Sequence, residues 1–144
     1  MAKLDDVSYH IGGEGFPDDA PDANGATHMG MFLRWAIEHD LFADPLVPAH
    51  AIAAIRDGTR SPRDVVLYHC DGVLLTEAFT PEGADFAAAH YDGFVADLDR
   101  LVGADEPPSA FYEIDDSEDN YRVMAAALDD RWARHRQEKA RRAL

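Results

Sequence analysis

Residues 80–102 constrain the fold more than any other stretch. Thr80-Pro81-Glu82 is a helix start: threonine caps, proline opens the first turn with φ already set, and glutamate complements the positive end of the dipole. Phe86, His90, Phe94, Leu98 and Leu101 then recur at steps of four or three residues until Gly103. A helix with one apolar stripe needs partners to bury it.

The chain supplies partners of the same kind. A first helix is expected over residues 27–40, with Thr27 as cap and Met31, Phe32, Trp35 and Ile37 as apolar residues. A second is expected over 46–57, with Ile52 and Ile55 on one face and Gly58 closing it. Ser61-Pro62-Arg63-Asp64 repeats the start signal, and Val65 to Tyr68 continue it until Asp71-Gly72. Val73-Leu74-Leu75 leads into the long helix, and residues 105–109 read as a loop. Residues 110–114 read as a short strand or an extended connector. Asp116 or Ser117 caps a final helix striped by Tyr121, Met124, Ala125, Leu128 and Trp132.

No alternating strand series and no internal repeat is visible. The 144 residues fit one domain. The expected fold is mainly α: a single compact helical domain of about five helices over residues 1–133. A basic helical tail follows over 134–144, polar enough to fray. Within the domain, residues 10–25 stand apart, with glycines at 12, 13, 15 and 25 and prolines at 17 and 21. That density of breakers gives a long Gly/Pro-rich N-terminal loop, and such loops are often functional. Its glycines match neither a dinucleotide fingerprint nor a P-loop.

Charge narrows the partners. Thirteen basic against 28 acidic side chains give −15. Residues 1–130 carry 7 basic and 27 acidic side chains, a net −20, whereas 131–144 carry six basic and one acidic. An acidic body of this kind is ill suited to nucleic acid and to anionic membrane surfaces. It suits a basic protein partner. The densest acidic run is Asp115-Asp116-Ser117-Glu118-Asp119, which also complements the start of the last helix. Asp115, Asp116, Glu118 and Asp119, with the nearby loop aromatic Tyr112, are the candidate partner-binding residues.

Bond-making groups are harder to find. Cys70 is the one cysteine, which excludes intrachain disulfides and CxxC sites, and its acidic surroundings disfavour a thiolate. Seven histidines show no HExxH or HxH spacing, so no metal site and no cofactor is expected. His28, His69 and His90 lie on three expected helices whose meeting in space the spacing leaves open. Residues 1–8 carry charges where a signal peptide needs an apolar run, and a cytoplasmic location is expected.

The stretch Gly25-Ala26-Thr27-His28-Met29-Gly30-Met31-Phe32-Leu33-Arg34-Trp35 resembles a family of small, acidic, uncharacterised bacterial proteins with a Gly-Ala-Thr-His-x-Gly-Met-Phe-Leu-x-Trp motif. The opening from Asp5 to Gly13 is similar, with Tyr9 where that family's pattern expects tryptophan. Asn120-Tyr121 and Asp130-Arg131-Trp132 fit as well. Some relatives resemble immunity proteins of bacterial toxin systems. The resemblance implies a non-catalytic protein that neutralises a basic, cognate toxin domain, and it carries over no catalytic residue.

Gly30 has its own physical reading. Glycine in a helix interior costs about 1 kcal/mol against alanine, so its place there points to a close approach by another backbone or side chain. His10, His28, Trp35 and Tyr121 would then line a space between the glycine-rich loop and the first helix. This is the rival reading: a small enzyme or ligand-binding domain with its pocket there.

Overall fold

The computed structural model describes residues 3–13, 15–103 and 108–143. The loop expected at 105–109 therefore lies partly outside the described residues, as do Glu14 of the N-terminal loop and Leu144 of the tail. The fold is mainly α-helical, as expected. Among the described residues there are five α-helices: α1 (Thr27–Glu38), α2 (Ala49–Arg56), α3 (Pro62–His69), α4 (Pro81–Leu101) and α5 (Glu118–Arg142).

Helix α1 is the hub. Every residue from Thr27 to Ile37 is buried except Arg34, and α2, α3, α4 and α5 all pack against it. A helix that is apolar all round belongs inside. Phe32 sits at the centre of the core, with ring centroids 5.8 Å from Phe79, 5.1 Å from Tyr91 and 5.4 Å from Phe94. Along α4, Phe86, Phe94 and Leu98 are buried, while Leu101 at the end of the expected stripe is 41% exposed. The stripe of α5 contributes Tyr121, Met124 and Leu128.

The start signals hold unevenly. Thr80 Oγ1 accepts from Gly83 N at 3.1 Å, and Ser117 Oγ from Asn120 N at 3.2 Å, as caps do. Thr27 and Ser61 make no cap bond. A 3-10 turn, Asp22–Ala26, runs straight into α1, and Thr27 Oγ1 instead accepts from Arg63 Nη1 at 3.1 Å. Ser61 donates its hydroxyl to Asp116. Both side chains serve tertiary contacts where local chemistry predicted caps.

Two further departures shape the site. Val73–Leu75 is a strand, β2, paired antiparallel with a strand β1, Lys3–Asp6. Lys-Leu-Asp-Asp carries no alternation that marks a strand; it becomes one because β2 offers an edge. Residues 108–113, which overlap the strand or connector expected over 110–114, form a 3-10 turn. The basic tail continues α5 without a break to Arg142. His135 is buried there, with its ring 5.5 Å from that of Phe86, and Lys139 pairs with Asp85 of α4.

Candidate functional site

The N-terminal strand delivers Asp5 into the interior opposite Leu74 of β2. Asp6 then ends the strand. Its Oδ1 accepts from Ser8 N at 2.9 Å and Ser8 Oγ at 2.8 Å, which starts a tight 3-10 turn over Val7–Tyr9. Val7 N donates to Gly72 O at 2.7 Å, pinning that turn where α3 gives way to β2. The reversal carries His10 back onto Asp5. From the other side, the first turn of α1 presents His28, which is 1% exposed.

Asp5 is the acceptor at the centre. Its Oδ1 lies 2.8 Å from His10 Nε2 and accepts Asp6 N at 2.8 Å. Its Oδ2 lies 2.7 Å from His28 Nε2 and accepts the Tyr91 hydroxyl at 2.6 Å. A carboxylate has about four lone-pair sites, and here four donors meet them. Both imidazoles must therefore carry hydrogen on Nε2. His10 Nδ1 lies 2.8 Å from the Tyr112 hydroxyl, which can donate to it or accept from it. The two imidazole rings stand edge to face with centroids 4.7 Å apart.

The electrostatics agree with that proton assignment. Burial opposes ionisation of Asp5, but the hydrogen bonds from His10 and His28 outweigh it and hold the carboxyl well below the usual carboxylate range. Burial pushes His28 below its ordinary value against the pull of Asp5. Burial likewise raises the Tyr91 hydroxyl well above the ordinary tyrosine value, with Asp5 adding to the shift. A carboxylate this fully satisfied is a poor general base. It is a good knot, joining β1, the loop, α1 and α4.

Of the four residues expected to line one pocket, the structure brings His10 and His28 together. Trp35 and Tyr121 lie elsewhere. Trp35 stacks on His39, with centroids 4.1 Å apart, and donates Nε1–H to Asp129 at 3.0 Å. Tyr121 donates its hydroxyl to Glu38 beneath the Arg34 guanidinium, which lies 3.8 Å from the ring centroid. Helix α1 is long enough to separate its two ends, so residues of one motif serve different neighbourhoods. Tyr121 instead lines a cleft of about 300 Å³ with Arg34, Arg60, Asp116 and Glu118. His28, His69 and His90 also stay apart: His69 faces His50 at 6.5 Å, and His90 faces His135 at 5.3 Å.

The acidic run divides in two. Asp116 accepts from Ser61 and lies 3.5 Å from Arg63 Nε, and Glu118 takes both ends of the Arg34 guanidinium at 2.6 and 3.0 Å. Asp115 and Asp119 are exposed. Tyr112 is half-buried, bonded to His10, and its ring lies 4.9 Å from that of Phe16. Asn24 Nδ2 donates to Tyr112 O at 2.8 Å, so segment 15–26 lies against segment 108–121. Asp5 and Tyr91 are the site residues that sequence reasoning missed. Asp5 sits in an unpatterned pair of acids, and Tyr91 is one position off the apolar stripe of α4.

Cys70 is half-buried, and its thiol is pushed up to about 12 by burial and then by the charges of Asp44 and Asp71. In the folded protein at pH 8 it should react with a disulfide reagent at least about 100-fold slower than a free thiol, and at full speed in denaturant. Rapid labelling of the folded chain would contradict this environment.

No curated protein and no solved structure matches the chain significantly. A family model described as a domain of unknown function, DUF7832, matches residues 3–114. That match includes Asp5, His10, His28, Tyr91 and Tyr112 and stops before α5. Among the described residues no helix is long and apolar enough to cross a membrane.

Proposed function

The chain belongs to DUF7832, a domain family of unknown function, and we propose that it acts as a non-catalytic acidic binding protein. Its partner is a basic protein, and the best-fitting role is that of a cytoplasmic immunity protein neutralising a cognate bacterial toxin domain. One observation carries this reading. Segments 15–26 and 108–121, held side by side through Phe16, Asn24 and Tyr112, contain eight acidic residues and no lysine or arginine. Asp116 and Glu118 are committed to Arg63 and Arg34. Asp18, Asp19, Asp22, Glu113, Asp115 and Asp119 are all exposed.

Carboxylates grouped without counter-charge repel one another and contribute little to folding. They do make the local potential strongly negative, which speeds encounter with a basic surface by 10-fold to about 1,000-fold at low salt. The saturated state of Asp5 supports the same reading, because it leaves that cluster poorly equipped for acid–base chemistry.

The test is a variant in which the six exposed acids become their amides. Association with a cognate basic toxin domain should slow at least about 10-fold at low ionic strength. The difference should shrink above about 0.5 M salt, where screening is nearly complete. Rescue of cells expressing that domain should weaken in parallel. Unchanged association and unchanged rescue by the amide variant would remove the acidic face from the account.

A further inference from the structure

We propose that Asp5, His10 and His28 form a binding site for one zinc-type divalent transition ion. This goes beyond the acidic-face reading and does not depend on it. Three ligand-type atoms, one from each residue, lie within 4.8 Å of one another. They come from a strand, a loop and a helix, and both imidazoles aim the same nitrogen, Nε2, at one carboxylate.

The donor set suits a borderline ion. Two imidazole nitrogens and one carboxylate oxygen are a common three-residue set for zinc, with bonds of about 2.0–2.2 Å and one further position for water. Neighbouring donors around such an ion stand about 3.3 Å apart. The hydrogen-bonded separations of 2.7 and 2.8 Å must open by about half an ångström, and the widest gap within the trio, which spans up to 4.8 Å, must close toward the same spacing to admit it. Water can arrive on the His10 side, since that side chain is 18% exposed against 8% for Asp5 and 1% for His28.

The surrounding groups also fit. An ion on His10 Nε2 requires that nitrogen to give up its hydrogen and Nδ1 to carry one. Nδ1 faces the Tyr112 oxygen at 2.8 Å, and a hydroxyl can turn from donor to acceptor. Tyr112 thus fixes the ring in either state, as the outer partners of metal-bound histidines do. Tyr91 holds Asp5 Oδ2 in the same way. A divalent ion brings positive charge to a buried carboxylate.

The experiment uses the full chain stripped with a chelator and titrated with zinc ion alone. Wild type should bind one equivalent with a dissociation constant below about 1 µM, and its thermal midpoint should climb with zinc concentration. Cobalt in place of zinc should give the visible absorption of a four-coordinate site. His10→Gln, at the most exposed ligand, should weaken binding at least about 100-fold while the chain stays folded by circular dichroism. Tyr112→Phe, which removes no ligand, should weaken it about 10- to 100-fold. The six-amide surface variant should bind zinc as wild type does, so a failed toxin test leaves this result standing. Absence of stoichiometric binding by wild type would overturn the proposal. So would equal zinc affinity in wild type, His10→Gln and Tyr112→Phe, since the ion would then sit elsewhere.

Discussion

Asp5→Ala should destabilise the metal-free protein by about 4 kcal/mol, read as a lower denaturant midpoint at unchanged slope. The substitution removes the acceptor for His28 Nε2–H and the Tyr91 hydroxyl, and both of these side chains are buried. Each buried donor left unpaired costs about 1–3 kcal/mol, and the Asp6 amide loses its Oδ1 partner as well. His10, partly exposed, can turn to water, so it adds little. Total stabilities of about 5–15 kcal/mol make a loss of this size severe. Asp5→Asn should be distinctly milder. Its oxygen still accepts, and His10 can switch tautomer to accept from the new amide while donating Nδ1–H to Tyr112. Equal stability of the alanine variant and wild type would show that the four hydrogen bonds do not hold the loop, strand and helices together.

The second large effect has the opposite sign from what helix propensity predicts. Gly30→Ala in a bare helix would gain about 1 kcal/mol. Here a Cβ at Gly30 would stand 2.5 Å from Arg63 N, 2.9 Å from Arg63 Cα and 3.0 Å from Pro62 C. These are backbone atoms at the start of α3, and they cannot rotate away. The two helices must part, and α1 packs against α3 more extensively than against any other helix. A net loss of about 2–3 kcal/mol is expected, measured by thermal or denaturant unfolding. A Gly30→Ala protein as stable as wild type would mean that α1 and α3 are not held this close.

Gly30 also shows how far one residue can be read. A glycine inside an otherwise apolar helix announces that something comes near, and something does. The visitor is the backbone of α3, not the glycine-rich loop. Sequence identifies the cost of a residue in its own helix; it does not identify who stands opposite. The same holds for Thr27 and Ser61, placed correctly at helix starts but drawn off by Arg63 and Asp116. Strand β1 was illegible for a related reason. A two-stranded pair takes its register from its partner, and Lys-Leu-Asp-Asp has no period of its own.

The site was half legible. His10 and His28 drew notice because they flank the glycine-rich loop, and they do meet. Asp5, which joins them, looked like one acid among 28. Trp35 and Tyr121 shared a motif or an aromatic character with them, yet Trp35 lies seven residues further along α1 and Tyr121 sits on α5, and both face other neighbours. The basic end of the chain read as a tail. It holds to α4 because His135 and Lys139 meet Phe86 and Asp85, contacts that no local pattern encodes.

What this amino-acid order decided alone is the set of five helices, the glycine-rich loop and the excess of negative charge. Those follow from neighbours a few positions apart and from counting. The tertiary structure decided that Asp5, His10, His28 and Tyr91 share one buried point, and that segments 15–26 and 108–121 lie side by side. Residues 5 and 91 are 86 positions apart. Only the packing of α4 against the rest of the core brings such distant groups within hydrogen-bonding range.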